Sequence, residues 1–341
     1  MKLHYICARQ EHMKNMNPEI FTTLSILLVC LILLTAADAL VCLILKLAAG
    51  IPFRKAFLWG CISLLIPPVA IAYGTLIERN LFRVKKVEIM CEGLPASFDG
   101  YRIAHISDIH ARSFEGREKR LQKAVDRINR LEADMVAFTG DLISMNPGEL
   151  EGMNSILEGL KAKDGVFSVL GNHDYSMYSN MDDASKGKAL ERLIEAERDM
   201  GWTLLLNANR VISRGRDSVA VVGVENTSPS RHFPSRGDLT QAAAGTEGMF
   251  RILLSHDPLH WEAEIVGQDF PLTLSGHTHA MQLSLLGWSP SRYMFPQYRG
   301  LYTNDGQYLY VNPGLGETIF PARIGVMPEI TLITLKSPDK T

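Results

Sequence analysis

At 341 residues the chain is long enough for one large domain and an appendage. Its 35 basic and 37 acidic residues leave a net charge of −2, so no global positive field marks it for nucleic acid. Its cysteines are Cys7, Cys30, Cys42, Cys61 and Cys91. Only Cys91 lies in the main body, which excludes a disulfide framework or a cysteine-rich zinc site there.

The N-terminal part differs in composition from the rest. A polar leader, residues 1–19, precedes an apolar run from Ile20 to Leu45 that is interrupted only by Asp38. A second run, Ala56 to Ile77, carries no charge. Each is long enough to cross a hydrocarbon core of about 30 Å. Two such runs behind a polar leader predict a transmembrane helical hairpin over 20–83 rather than a cleaved signal. Pro67 and Pro68 are expected to kink the second helix, and Asp38 to face its partner helix or the interface. Lys2, Arg9 and Lys14 precede the first span; Arg79, Arg83, Lys85 and Lys86 follow the second; the loop holds Lys46, Arg54 and Lys55. The positive-inside rule then puts both flanks in the cytoplasm.

Residues 84–341 read as one α/β domain. "RIAHISD" (Arg102–Asp108) predicts a strand. Gly116–Ala133 has helical periodicity, with Leu121, Val125, Ile128 and Leu131 on one face. Asp134–Asp141 is a nearly continuous apolar run, as in a buried parallel strand. "GELEGMNSILEGLKA" predicts a helix, Gly165–Asp174 a strand, and Lys186–Gly201 a helix stopped by glycine. This alternation implies a parallel sheet with crossover helices. Beyond it "SVAVVGVE", "FRILLSHD", "PLTLSGHTH", "QYLYVNPG" and "EITLITL" predict a second sheet packed on the first. Asn226–Gly248, polar and rich in Gly, Pro and Ser, reads as a long loop, either a lid or a mobile segment.

Ligands in open α/β sheets bind at the carboxyl ends of strands. "SDIH" places Asp108 and His110 at such an end, "GD" Asp141, "GNHD" Asn172, His173 and Asp174, "SH" His256, and "GHTH" His277 and His279. Five of ten histidines stand there, in stretches that also carry a glycine or an acid. Imidazole and carboxylate without thiolate suit Zn, Mn or Fe. There are more ligands than one tetrahedral ion needs. They suit two ions that share a carboxylate and act on a phosphoryl group, with a hydroxide held between them as the attacking group.

The series D-x-H, G-D, G-N-H-D, H, G-H-x-H, from Asp108 to His279, resembles the calcineurin-like metallophosphoesterases. The resemblance implies a two-sheet β-sandwich flanked by helices. It implies two divalent metal ions, with Asp108, His110 and His279 on one, Asn172, His256 and His277 on the other, and Asp141 bridging. His173 matches the histidine that contacts phosphate and protonates the leaving group, and Asp174 would orient it by a hydrogen bond. The hairpin and the closing "LYVNPGLGETIFPARIGVMPEITLITL" resemble the membrane-associated bacterial branch. That branch implies a bacterial cell membrane, a catalytic domain on the cytoplasmic face, and a phosphoester or pyrophosphate substrate, with a lipid-linked one attractive for a tethered enzyme. Ala280 and Met281 depart from it, standing where two glycines are common. The alternative is a non-catalytic, membrane-associated metal-binding module. Arg323 is either a phosphate clamp or a structural ion pair, and His232 is a candidate substrate contact. His105, His260 and Trp261 are expected to pack, Asn312 to serve a turn, and Cys91 to be inert.

Overall fold

The computed structural model describes residues 18–338. Cys7 and the charges Lys2, Arg9 and Lys14 lie outside the described residues. The chain divides into two compact units, Met1–Arg79 with Thr318–Ile324, and Asn80–Glu317 with Gly325–Thr341.

In the first unit, α1 (Pro18–Ala49) is followed by α2 (Phe53–Gly60), a 3-10 turn (Cys61–Leu65) and α3 (Ile66–Leu76). Pro67 and Pro68 fall in the first turn of α3, where a missing N–H costs no hydrogen bond. The irregularity therefore lies in the 3-10 turn before them rather than in a bend at the prolines themselves. The two stretches Glu19–Ala49 and Phe53–Asn80 are long and apolar enough to cross a membrane, with mean hydropathies of 2.8 and 1.8. Almost nothing of either is buried by protein, unlike the core helix of a soluble domain. Asp38 faces the partner helix: the Ser63 hydroxyl donates to its Oδ2 at 2.6 Å. Thr318–Ile324 completes this unit. The Arg79 guanidinium donates to the Pro321 carbonyl at 2.7 Å, and a Cβ on Gly74 would come within 2.7 Å of the Arg323 carbonyl oxygen. Arg323 is fully buried here.

The second unit begins with β1 (Arg83–Met90) and β2 (Arg102–Ile106), then α4 (Glu118–Asn129) and β3 (Met135–Phe138). A single helical turn, α5 (Asn154–Leu157), precedes β4 (Val166–Ser168), and α6 (Asp183–Asp199) leads to β5 (Thr203–Leu204). Next come β6 (Ala208–Arg214), β7 (Asp217–Gly223), α7 (Leu239–Ala243), β8 (Phe250–Leu254) and β9 (Leu272–Ser275). β10 (Gly300–Asn304), β11 (Gln307–Val311) and β12 (Glu329–Lys336) close the unit.

The strands form two six-stranded sheets, in the orders β1-β12-β2-β3-β4-β5 and β10-β11-β9-β8-β7-β6. Strands β2 to β5 are parallel in the first, and β7, β8, β9 and β11 in the second. Alternation assigns the faces. In β3, Met135 and Ala137 enter the core between the sheets, while Val136 and Phe138 pack under Leu121, Val125 and Ile128 of α4. A third cluster, including Val222, Leu253 and Trp261, covers the outer face of the second sheet. The result is a two-sheet α/β sandwich flanked by helices.

Two elements differ from the sequence expectation. Residues 148–162 are not one helix but the end of a 3-10 turn (Pro147–Leu150) and α5, because Gly152 sits at φ 77° and ends the first piece. "EITLITL" is not in the second sheet. As β12 it inserts in the first, parallel to β1 and antiparallel to β2.

Candidate metal centre

The predicted ligands follow the carboxyl ends of parallel strands from both sheets. Asp108 and His110 follow β2, Asp141 follows β3, and Asn172 follows β4; His256 follows β8, while His277 and His279 follow β9. Asp108, His110, Asp141, His277 and His279 all have positive φ, between 45° and 70°. Left-handed backbone costs about 1–2 kcal/mol per non-glycine residue, so this strain is held by the surrounding fold. His277 and His279 consequently leave the strand pleat and point to two neighbouring places.

His110, His279 and Asp108 form one group. His110 Nε2 lies 3.0 Å from His279 Nε2, and His279 Nε2 lies 3.3 Å from Asp108 Oδ1. His256, His277 and Asn172 form another. His256 Nε2 lies 3.2 Å from Asn172 Oδ1 and 3.2 Å from His277 Nδ1. Asp141 Oδ2 stands between the groups, 3.6 Å from His110 Nε2 and 3.2 Å from His256 Nε2. Its Oδ1 accepts the His173 amide at 2.9 Å, which turns Oδ2 toward the imidazoles.

The far side of each ring is tied down. His256 Nδ1 donates to the Thr139 carbonyl at 2.6 Å, so its Nε2 faces the site. Ser144 Oγ holds His110 Nδ1 at 3.3 Å. Burial, followed by the nearby His173, holds the His110 pKa well below the ordinary imidazole value; burial also lowers that of His277. Burial alone would raise Asp108 and Asp141. Neighbouring histidines, His279 first for Asp108 and His256 first for Asp141, outweigh it and hold both below the usual carboxylate range. The carboxylates in turn overcome burial at His256 and push it up to about 10. Imidazole nitrogens and carboxylate oxygens converge without thiolate within 4.8 Å in three overlapping groups, Asp108–His110–His279, His110–Asp141–His173 and Asp141–His256–His277, a donor set that fits two divalent cations.

Glycines make the close approach possible. A Cβ on Gly171 would collide with the Asp141 carboxylate, and one on Gly276 with the Ser107 hydroxyl and the Asp108 carboxylate. The glycines of G-N-H-D and G-H-T-H therefore leave room for the acids.

These observations decide the family. Residues 101–281, more than half the chain, match the profile of the calcineurin-like phosphoesterases. The chain belongs to this family. It is 33% identical over 297 residues to the transmembrane protein with metallophosphoesterase domain of Danio rerio, covering 83% of this chain and 63% of that protein. The chain thus spans somewhat less than two thirds of that relative. It is 29% identical over 301 residues to the uncharacterized metallophosphoesterase YkuE of Bacillus subtilis, covering 84% and 98% respectively. It is 27% identical over 306 residues to UDP-2,3-diacylglucosamine pyrophosphatase LpxG of Chlamydia trachomatis, covering 73% and 88%.

In this metallophosphoesterase Asp174 does not orient His173. Its Oδ2 accepts the amides of Asp141 and Gly171, both at 2.8 Å, and its Oδ1 those of Leu142 and Ile143, at 2.9 and 3.2 Å. Both oxygens are thereby committed to backbone. Burial and the Asp141 charge push this carboxyl up to about 7, against the pull of the amides. His173 Nδ1 donates instead to the Ser144 carbonyl at 2.7 Å. Asp174 thus builds the loop that carries Asp141. Asp174→Asn turns one acceptor into a donor facing an amide, at a cost of about 2–6 kcal/mol for two buried N–H groups. Melting temperature should fall, and metal affinity with it by roughly 10–100-fold. Thermal melts and equilibrium dialysis read this. An unchanged melt and metal content with slower turnover would return Asp174 to the role of orienting His173.

Three aromatic side chains at the rim carry no motif and were not foreseen. The Tyr178 ring lies 4.3 Å from that of His173. Phe233 and Phe295 meet the His277 ring edge to face at 4.9 and 5.3 Å. Phe233 comes from the 226–248 loop, which is pinned by Asn226 (its amide donating to the Pro234 carbonyl) and by Asn207. His232 is exposed beside Phe233. His105 is buried against Thr139, and His260 against Ser255. The Asn312 side-chain oxygen accepts the Gly314 amide, as a turn requires, and its amide also ties β2 to β12. Burial pushes the Cys91 thiol up to about 12, which keeps it unreactive. Ala280 and Met281, in place of glycines, keep left-handed φ values of 47° and 49°, and the Ser289 hydroxyl clamps the Ala280 carbonyl at 2.8 Å.

Proposed function

We propose that the chain is a membrane-anchored, dinuclear-metal phosphoesterase that hydrolyses phosphodiester or pyrophosphate bonds. The observation that carries this reading is Asp141 Oδ2, one oxygen shared by two converging sets of imidazoles. Asp108, His110 and His279 would hold one divalent ion, Asn172, His256 and His277 the other, and Asp141 both; Mn, Zn and Fe suit these donors. When bound, the two ions would supply Lewis acidity to the phosphoryl group and to the attacking water.

The chain's own part lies in placing groups and moving a proton. With Nδ1 committed to the Ser144 carbonyl, His173 has Nε2 free to protonate the departing oxygen. His110 and Tyr178 pack against the His173 ring, with centroids at 4.7 and 4.3 Å, and fix its plane. Phe233 and Phe295 shield His277 from water. A non-catalytic module would have no chemical need for a histidine held with one nitrogen free beside the metal ligands.

The apolar stretches Glu19–Ala49 and Phe53–Asn80 would anchor the enzyme. Flanking charges at Arg79, Arg83, Lys85 and Lys86 favour the cytoplasmic face. An anchored site meets substrates in the membrane at high effective concentration, so we place lipid-linked phosphodiesters and pyrophosphates first. The likeness to a UDP-2,3-diacylglucosamine pyrophosphatase supports that order.

Detergent-solubilised full-length protein, loaded with Mn²⁺ or Zn²⁺, should hydrolyse members of a panel of aryl, nucleotide and lipid phosphoesters. Stoichiometric metal binding with no hydrolysis across the panel would sink the enzyme reading.

A further inference from the structure

Asp257, next in the chain to His256, is a buried carboxylate with one idle oxygen. The residue is 1% exposed. Its Oδ1 accepts the Leu259 amide at 2.9 Å, which closes a turn after β8. Its Oδ2 is buried and has no hydrogen-bond partner among the described residues. A carboxylate oxygen left bare in the interior is costly, because it has given up water and received nothing in return. What it faces is His277 Nε2, at 4.0 Å. That nitrogen has no hydrogen bond among the described residues either.

The other ring nitrogen fixes the sense of this contact. His277 Nδ1 lies 3.2 Å from His256 Nε2, so Nδ1 is the atom turned toward the other ligands. An imidazole that gives Nδ1 to a cation carries its proton on Nε2, beside Asp257 Oδ2. A shift of about 1 Å brings the two atoms into hydrogen-bond range. Phe233 and Phe295 stand against the same ring at 4.9 and 5.3 Å and leave it little room to turn away. Charge gives the contact its purpose. The group of Asp108, His110 and His279 has a carboxylate of its own besides Asp141. The group of Asn172, His256 and His277 has an amide oxygen and two imidazoles, and shares Asp141. The outer nitrogen of His256 meets a carbonyl and that of His110 a hydroxyl; that of His277 meets a carboxylate. A carboxylate in that place makes the imidazole a stronger donor to a cation.

We propose that Asp257 is a positioning residue for the second metal position: it accepts a hydrogen bond from His277 Nε2, fixes Nδ1 as the ligand atom, and supplies the negative charge that this group's own donors lack. This rests on the reading of His277 as a metal ligand, and deepens it by giving the two ions unequal support.

Stepwise binding of Zn²⁺ to metal-stripped, full-length protein in detergent, read by calorimetry, tests this without turnover. His277→Ala marks the step that belongs to the second position. Asp257→Ser keeps a side-chain oxygen for the Leu259 amide and removes the one that faces His277. It should weaken that same step by about 10–100-fold and leave the other step unchanged. Melts of the metal-free proteins report on the turn. If Asp257→Ser melts lower, Asp257→Asn decides, since it keeps the size and an acceptor for Leu259 but loses the charge; it too should weaken the marked step alone. In Co²⁺-loaded protein the exchangeable Nε2 proton of His277 should give a paramagnetically shifted NMR signal that is lost to solvent exchange in Asp257→Ser. A weaker step with that signal intact would place the effect in neighbouring His256 and overturn the proposal. So would Asp257 variants that weaken both steps alike, or neither, while His277→Ala weakens one. Both steps intact in His277→Ala would instead sink the ligand assignment beneath it.

Discussion

Asp141→Asn should abolish turnover and strip metal from both positions. Asp141 Oδ2 is the one oxygen that faces both imidazole groups, and Oδ1 is spent on the His173 amide. An amide in its place offers a neutral oxygen to one side only and brings two N–H donors against buried imidazoles. Several kcal/mol of transition-state stabilisation go with the ions, so the rate should fall by roughly 10³-fold or more. The fold should survive, because the Asp174 carboxylate holds four loop amides while Asp141 holds that of His173, which an Asn side-chain oxygen can still accept. Metal analysis beside a thermal melt checks this. Full occupancy at both positions in Asp141→Asn would show that the two groups do not share this carboxylate.

His173→Ala should keep both metals, because Asp108, His110 and His279 on one side and Asn172, His256 and His277 on the other complete the two proposed ligand sets with Asp141, and should lower turnover by roughly 10²–10⁴-fold, the range for a lost general acid. The loss should shrink for leaving groups that depart as stable anions, since these need no proton. The His173 ring touches Tyr178 and His110 but is fixed through its Ser144 bond. Rates measured with leaving groups of differing basicity, alongside metal content, decide the matter. A stripped metal, or a loss as large for a nitrophenolate as for an alkoxide, would remove the acid role.

The ligand types and their order were legible because chemistry restricts them. Imidazoles and carboxylates at strand ends beside glycines leave few alternatives, and the apolar runs before them are strands by period alone. The N-terminal spans were equally plain, since length and hydropathy are local properties. Tertiary structure decided what depends on partners distant in the chain. β12 reads like its neighbours in sequence, yet it lies between β1 and β2, because pairing across more than two hundred residues leaves no periodic trace. Asp174 stands beside His173, which suggested a bond between them. The fold gives both its oxygens to four amides and assigns His173 to a carbonyl instead. The left-handed backbone at five of the predicted ligands is invisible in the residue types, since Asp and His do not demand positive φ. Gly171 and Gly276 stood in the motifs as letters, and only the packed acids beside them show what a side chain there would hit. Side-chain chemistry is written residue by residue, whereas direction, strain and partnership exist only once the two sheets have closed on each other.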